Sequence, residues 1–133
     1  MKNIAFFLTP KNEVAFLYDD FTLEESLQKM RLYGYTSIPV ITRKCKYVGT
    51  ISEGDFLWYI TDNNIRKDEY NDITVKEIDN NEKIQPVRIT VGIDEILEKS
   101  MNQNFIPVID DMGTFIGIVT RKEIIGYLQN KED

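Results

Sequence analysis

The chain has 133 residues, with 22 acidic against 16 basic side chains and a formal net charge of -6. A composition of 42% apolar and 29% charged residues is that of a globular domain long enough to bury a core. A nucleic-acid binder needs a basic stripe to neutralise phosphates, and the cations here are scattered among more numerous acids, so nucleic acid is not an expected partner.

There is no histidine, which removes the commonest general base and the commonest metal ligand together. No metal site and no catalytic residue is expected. The single cysteine, Cys45, excludes an internal disulfide. It lies in the turn Arg43-Lys44-Cys45-Lys46, where cations favour a thiolate. With no base beside it in the sequence, it reads as a turn residue rather than a nucleophile. No run approaches the about 20 apolar residues of a membrane span, and Met1 to Leu8 is too short for a secretory signal. A cytoplasmic protein without membrane contact is expected.

In chain order, residues 3–9 read as a short apolar helical turn, and Val14 to Tyr18 as a strand. Thr22 and Glu25 have capping-box spacing, and Leu23, Leu27, Met30 and either Arg31 or Leu32 follow at helical period up to Gly34. Ser37 to Thr42 and Lys46 to Ile51 form a strand hairpin, and Ser52 opens a helix through Ile60. Asp62 to Asp72 is charged, lacks an apolar period and reads as a connection. Thr74 to Ile78 is a short helix analogous to residues 3–9, and Pro86 to Ile89 a strand. Asp94 to Met101 is a helix with Ile93, Ile96, Leu97 and Met101 apolar, followed by strands at Phe105–Asp110 and Phe115–Val119 and a last helix from Lys122 to Gln129.

This is one unit written twice. Pro39-Val40-Ile41 returns 68 positions later as Pro107-Val108-Ile109, Gly49 as Gly117, Ser52 as Thr120 and Asp55 as Glu123. The division by repeat is 1–62, a connection 63–73, and 74–133. Each unit is β-α-β-β-α, an α+β class, and stacking two copies through their sheets would join their apolar faces.

The strand-to-helix junctions carry the chemistry. Ser52 and Thr120 stand where unpaired backbone N–H groups and the positive helix end collect, which suits phosphate. Asp55 is a two-oxygen acceptor for a ribose diol. Gly54 admits a ligand close to the backbone, at a helix-propensity cost of about 1 kcal/mol. Tyr35, Ser37, Ile38 and Pro39 supply walls, with Pro39 disfavoured inside a central ladder. Arg121 and Lys122 are candidate phosphate cations, or a solvated helix start. Ser-x-x-Asp and Thr-x-x-Glu are equally the spacing of capping boxes that need no ligand.

The doubled unit resembles a tandem pair of CBS domains (the cystathionine-β-synthase domain family). The motifs are Gly-hydrophobic-hydrophobic-Ser/Thr-x-x-Asp and a preceding hydrophobic-Pro-Val, and the likeness covers nearly the whole chain. The resemblance implies two clefts between the copies that bind adenine-containing ligands such as AMP, ADP, ATP or S-adenosylmethionine and report them to a partner. It places Tyr35, Ser37, Ile38, Pro39, Ser52, Gly54, Asp55, Phe105, Ile106, Pro107, Thr120, Arg121, Lys122 and Glu123 at the ligand. Phe105 would stack on a purine or serve as a core aromatic. Glu123 is longer than the family's aspartate, which makes the second junction the poorer match. Ser37 and Phe105 stand where tight nucleotide binders often carry a cation, which implies modest affinity or few phosphates. No cofactor is implied beyond an adenine nucleotide as regulatory ligand. Paired modules in the family pack through the helices 55–60 and 123–128, so a homodimer is implied. The alternatives are a structural or protein-binding module without nucleotide, and a receptor for cyclic di-AMP.

Overall fold

The computed structural model describes residues 4–78 and 84–130. The chain divides into two compact units, one of residues 15–83 and the other of residues 1–14 with 84–133.

The first unit holds a three-stranded sheet in the order β2-β3-β4: β2 (Leu17–Tyr18), β3 (Ser37–Ile41) and β4 (Tyr47–Ser52). The two-residue β2 runs parallel to β3 and pairs only with Val40 and Ile41, while β4 lies antiparallel along all of β3. Of the expected strand Val14–Tyr18, only its last two residues pair. Helix α1 (Leu23–Tyr33) starts on a reciprocal capping box, in which the Glu25 amide donates to Thr22 Oγ1 (3.1 Å) and the Thr22 amide to Glu25 Oε1 (2.9 Å). It stops at Gly34, whose φ of 70° is the left-handed conformation that glycine adopts without a Cβ penalty. Leu23 and Met30 are buried, whereas Leu32 is exposed and faces away from the core. Helix α2 (Glu53–Asp62) follows β4 directly and buries Phe56 against Leu17, Ile38, Val40 and Ile51.

The connection is part of this unit rather than a bare link. Lys67–Asp72 forms a 3-10 turn, with Ile65 and Tyr70 packed on the core. Ile73 and Val75 are buried, and the Leu23 amide donates to the Ile73 carbonyl (2.7 Å), the Val75 amide to that of Phe21 (2.9 Å). The short helix α3 (Val75–Ile78) thereby buries Val75 and Ile78 beside α1 and α2. Ile73 and Val75 lie just past the charged stretch, and their backbone bonds to Leu23 and Phe21 fasten them to this unit. At the surface, Arg43 grips Asp20 through two 2.8 Å bonds and lies 4.0 Å over the Tyr18 ring. The guanidinium holds the Asp20 carboxyl below its usual range.

The second unit has a four-stranded sheet, β1-β7-β6-β5: β1 (Thr9–Pro10), β5 (Val87–Arg88), β6 (Phe105–Ile109) and β7 (Phe115–Thr120). β5 runs parallel to β6, and β6 antiparallel to β7. β1 lies antiparallel on β7, with Pro10 opposite Gly117. A Cβ at Gly117 would strike the Thr9 carbonyl, so glycine is what lets this strand approach. The 3-10 turn Ile4–Phe7 places Ile4 and Phe7 in a core with Val87, Ile96, Ile106 and Val119; residue 3 of that expected turn lies outside the described residues. Helix α4 (Ile93–Ser100) ends before Met101, which is 80% exposed instead of continuing the apolar face. Helix α5 (Arg121–Asn130) closes the unit and buries Ile124.

Candidate functional site

In the first unit, β4 runs into α2 without a loop. Ser52 is both the last β4 residue, paired with Ser37, and the cap of α2. Its hydroxyl accepts the Asp55 amide (3.1 Å), and Asp55 Oδ2 accepts the Ser52 amide (2.9 Å). The Glu53 amide donates to the Thr36 carbonyl (2.9 Å), tying the junction to the entry of β3. Asp55 therefore caps the helix, and its carboxylate is held one turn in, half-buried. An alanine fits at Gly54: a Cβ there would sit 3.7 Å from Ser52 Oγ and 3.9 Å from Trp58 Nε1, ordinary contacts.

The wall residues divide into two kinds. Ile38 and Pro39 are buried side chains, and Tyr35 and Ser37 are half-buried. Because β2 pairs only with Val40 and Ile41, the stretch Ser37–Pro39 extends past the parallel ladder on that side. This is how a proline is accommodated in the central strand, and it leaves an edge where a ligand would meet backbone rather than side chain.

The second unit repeats the junction with changes. Thr120 pairs with Phe105, and Thr120 Oγ1 accepts the Glu123 amide (3.2 Å). The Arg121 amide donates to the Asn104 carbonyl (2.8 Å), the counterpart of Glu53 and Thr36. Arg121 Nε donates to the Ser100 carbonyl (2.7 Å), so this guanidinium is tied to the end of α4. Lys122 is exposed. Phe105, Ile106 and Pro107 are buried, with Phe105 at 9% exposure. As in the first unit, β5 pairs only with Val108 and Ile109 and leaves Phe105–Pro107 beyond its end.

A groove of about 550–570 Å³ opens on each side of α5. One is lined by Asn104, Thr120, Arg121, Ile125 and Gln129, the other by Phe6, Phe7, Glu123, Tyr127 and Asn130, and Lys122 and Gly126 line both. Of the expected site residues, Thr120 and Arg121 line one groove, Glu123 lines the other, and Lys122 lines both. Asn104 and Gln129 were not legible as site residues. The one signal was position, since Asn104 stands 68 residues after Thr36 in the repeat.

Comparison with known proteins agrees with this fold. The CBS domain family model matches residues 6–62 and 75–130. No curated protein matches the sequence. Among solved structures, CbpB in complex with c-di-AMP is 30% identical with a TM-score of 0.91, over 96% of this chain and 85% of that one. CbpB from Streptococcus agalactiae is 32% identical with a TM-score of 0.85, over 92% and 77%. A CBS domain protein from Streptococcus pneumoniae TIGR4 is 28% identical with a TM-score of 0.88, over 96% and 87%. Two family matches over most of the chain, on two units that each carry the strand–helix junction, make this protein a member of the CBS domain family, built as a tandem pair.

Proposed function

We propose that the chain is a regulatory sensor that binds an adenine-containing nucleotide and signals its level to a partner, with cyclic di-AMP the first ligand to test. The observation that carries the reading is the likeness, at 30% identity over 96% of the chain, to a CBS protein in complex with c-di-AMP. The strand–helix junctions support it. Each offers a capped helix start, a half-buried or exposed carboxylate at Asp55 or Glu123, and a strand stretch beyond its parallel ladder. The cations suit a ligand of low charge: Lys122 is exposed and Arg121 is tied to Ser100. The two phosphodiesters of a cyclic dinucleotide are singly charged, so they ask less of the protein than a triphosphate does. In this reading the buried Phe105 shapes the strand, Ser37–Pro39 and Phe105–Pro107 offer backbone to adenine, and Asp55 takes a ribose. A mononucleotide of the AMP, ADP or ATP class is the second reading, carried by the diol-binding chemistry of Asp55.

The reading also makes the protein a homodimer in the cytoplasm. Leu57 and Trp58 on α2 are 51% and 61% exposed, and Ile125 and Leu128 on α5 are 46% and 43% exposed. Helices apolar on an outward face need cover, and a second chain supplies it.

Thermal melts and calorimetry with cyclic di-AMP, AMP, ATP and cyclic di-GMP test the reading. A ligand at a hundredfold excess over its Kd stabilises the folded state by about 2.7 kcal/mol, which a melt detects readily. Cyclic di-AMP is expected to raise the midpoint and cyclic di-GMP to leave it unchanged. If no adenine nucleotide moves the midpoint, the sensor reading fails and the interaction-module alternative stands.

A further inference from the structure

The open strand edges of the two units differ by one side chain. In an antiparallel ladder, hydrogen-bonded and non-hydrogen-bonded pairs alternate. The Arg121 amide bonds the Asn104 carbonyl (2.8 Å), so the next pair, Phe105 with Thr120, is of the non-bonded kind. The N–H and C=O of Phe105 therefore point away from β7, toward the side of β5. That strand does not reach them, because it pairs only with Val108 and Ile109. In the first unit the Glu53 amide bonds the Thr36 carbonyl in the same way. Ser37 accordingly turns its own N–H and C=O to the open side, past the end of β2.

The Phe105 carbonyl already has a partner. Gln103 Nε2 donates to it (3.3 Å). The Gln103 main chain is held at the end of α4, where its amide donates to the Lys99 carbonyl (3.1 Å), and its half-buried side chain reaches two residues along the chain to make this bond. A carboxamide N–H on that carbonyl is the same kind of donor that the exocyclic amine of adenine would bring. The residue 68 positions earlier, Tyr35, does something else: its ring packs on the core of the first unit. One copy bonds its own edge carbonyl from the place where the other holds a packed ring.

We infer that Gln103 is a built-in competitor for the base at the second unit: its carboxamide occupies the Phe105 carbonyl and must swing off before an adenine amine can bond there. The inference rests on the reading above that Phe105–Pro107 offers backbone to adenine, and it adds a reason for the second unit to bind less tightly than the first. The competing bond is a single neutral one, so it tunes affinity and does not abolish it. A change of side-chain rotamer is enough to release it, with the backbone left in place.

Removing the donor tests the competition. Gln103→Met keeps an unbranched side chain of similar length without an N–H, and Gln103→Ala removes the reach altogether. Calorimetry with AMP, and with cyclic di-AMP as a second probe, is run on the wild type and both variants. Each variant is expected to tighten the weaker binding step by about 2- to 12-fold, the affinity equivalent of one neutral hydrogen bond, and to leave the tighter step unchanged. Nucleotide binding that is unchanged in both variants overturns the inference alone. No binding of either probe to any of the three proteins overturns the sensor reading and the inference with it.

A second measurement reads Gln103 directly. In isotope-labelled protein the side-chain amide signals of Gln103 are assigned by their loss in Gln103→Met. Saturation with the probe that binds is expected to shift them to the position of an exposed carboxamide. A purely structural glutamine would keep its bond, so signals that do not shift while nucleotide binds overturn the competition.

Discussion

The two units are built from one repeated pattern and diverge at the same few positions in each. Both end a hairpin at a strand–helix junction, yet one closes it with a reciprocal Ser52–Asp55 box and the other with Thr120 accepting from Glu123. Both turn their hairpins in the left-handed region, at Cys45 (φ 66°) in one and Gly113 (φ 82°) in the other. In the unit of residues 1–14 with 84–133, a fourth strand, β1, lies against Gly117. A duplicated fold tolerates change where the backbone is already set by its neighbours. The junctions and turns are where the two copies differ.

The largest difference is the debt of one unit to the opposite end of the chain. Phe7 is 3% exposed in a core that it shares with Ile4 and with residues 87–124. Phe7→Ala is expected to cost about 3–5 kcal/mol, as phenylalanine truncations in cores do. Hydrogen exchange read residue by residue should show protection falling in 84–130 much more than in 15–78. Uniform loss across both units would mean that the two do not behave as separate cores.

Gly117→Ala comes next. The added methyl meets the Thr9 carbonyl and the Pro10 backbone, so β1 must lift from β7, with an expected cost of about 1–3 kcal/mol. The urea midpoint measures it, and limited proteolysis near Thr9 should speed up. A neutral result would show that β1 is dispensable to its unit.

The junctions differ by less. Asp55→Ala removes the acceptor of the Ser52 amide, and Thr120→Ala removes the acceptor of the Glu123 amide. Each is expected to cost about 0.5–2 kcal/mol as a lost cap. If Asp55 also grips a ribose, its loss should weaken nucleotide affinity by about one to two decades, because hydrogen bonds to charged groups are worth about 1.5–3 kcal/mol. Calorimetry and urea titration on the same protein separate the two effects. A stability loss with unchanged affinity would assign Asp55 to capping alone.

The smallest effect runs the other way. Cys45 occupies a left-handed conformation that its counterpart Gly113 adopts freely. Cys45→Gly is expected to stabilise the chain by about 0.5–1 kcal/mol, net of the entropy that glycine adds to the unfolded state. A lower midpoint would mean that the Cys45 side chain contributes more in this turn than its backbone strain costs.

Much of this was written in the residues themselves. The repeat at 68 positions, the capping box at Thr22, the stop at Gly34 and the hairpins around Pro39 and Pro107 are local matters of period, cap and turn, and they can be read along the chain. The Ser52–Asp55 spacing was legible too as a capping box, because a cap needs an acceptor one turn into a helix, and the structure forms it. What the linear order could not decide is which segment completes which core. Ile4 and Phe7 lie at one end of the chain and pack with residues 87–124, while Ile73 and Val75, beyond the charged connection, pack with residues 15–60. Apolar burial is non-directional and indifferent to separation along the chain, so only the folded backbone assigns those partners. The same holds for Met101 and Leu32, apolar residues on plausible helical faces that the ends of α4 and α1 turn outward.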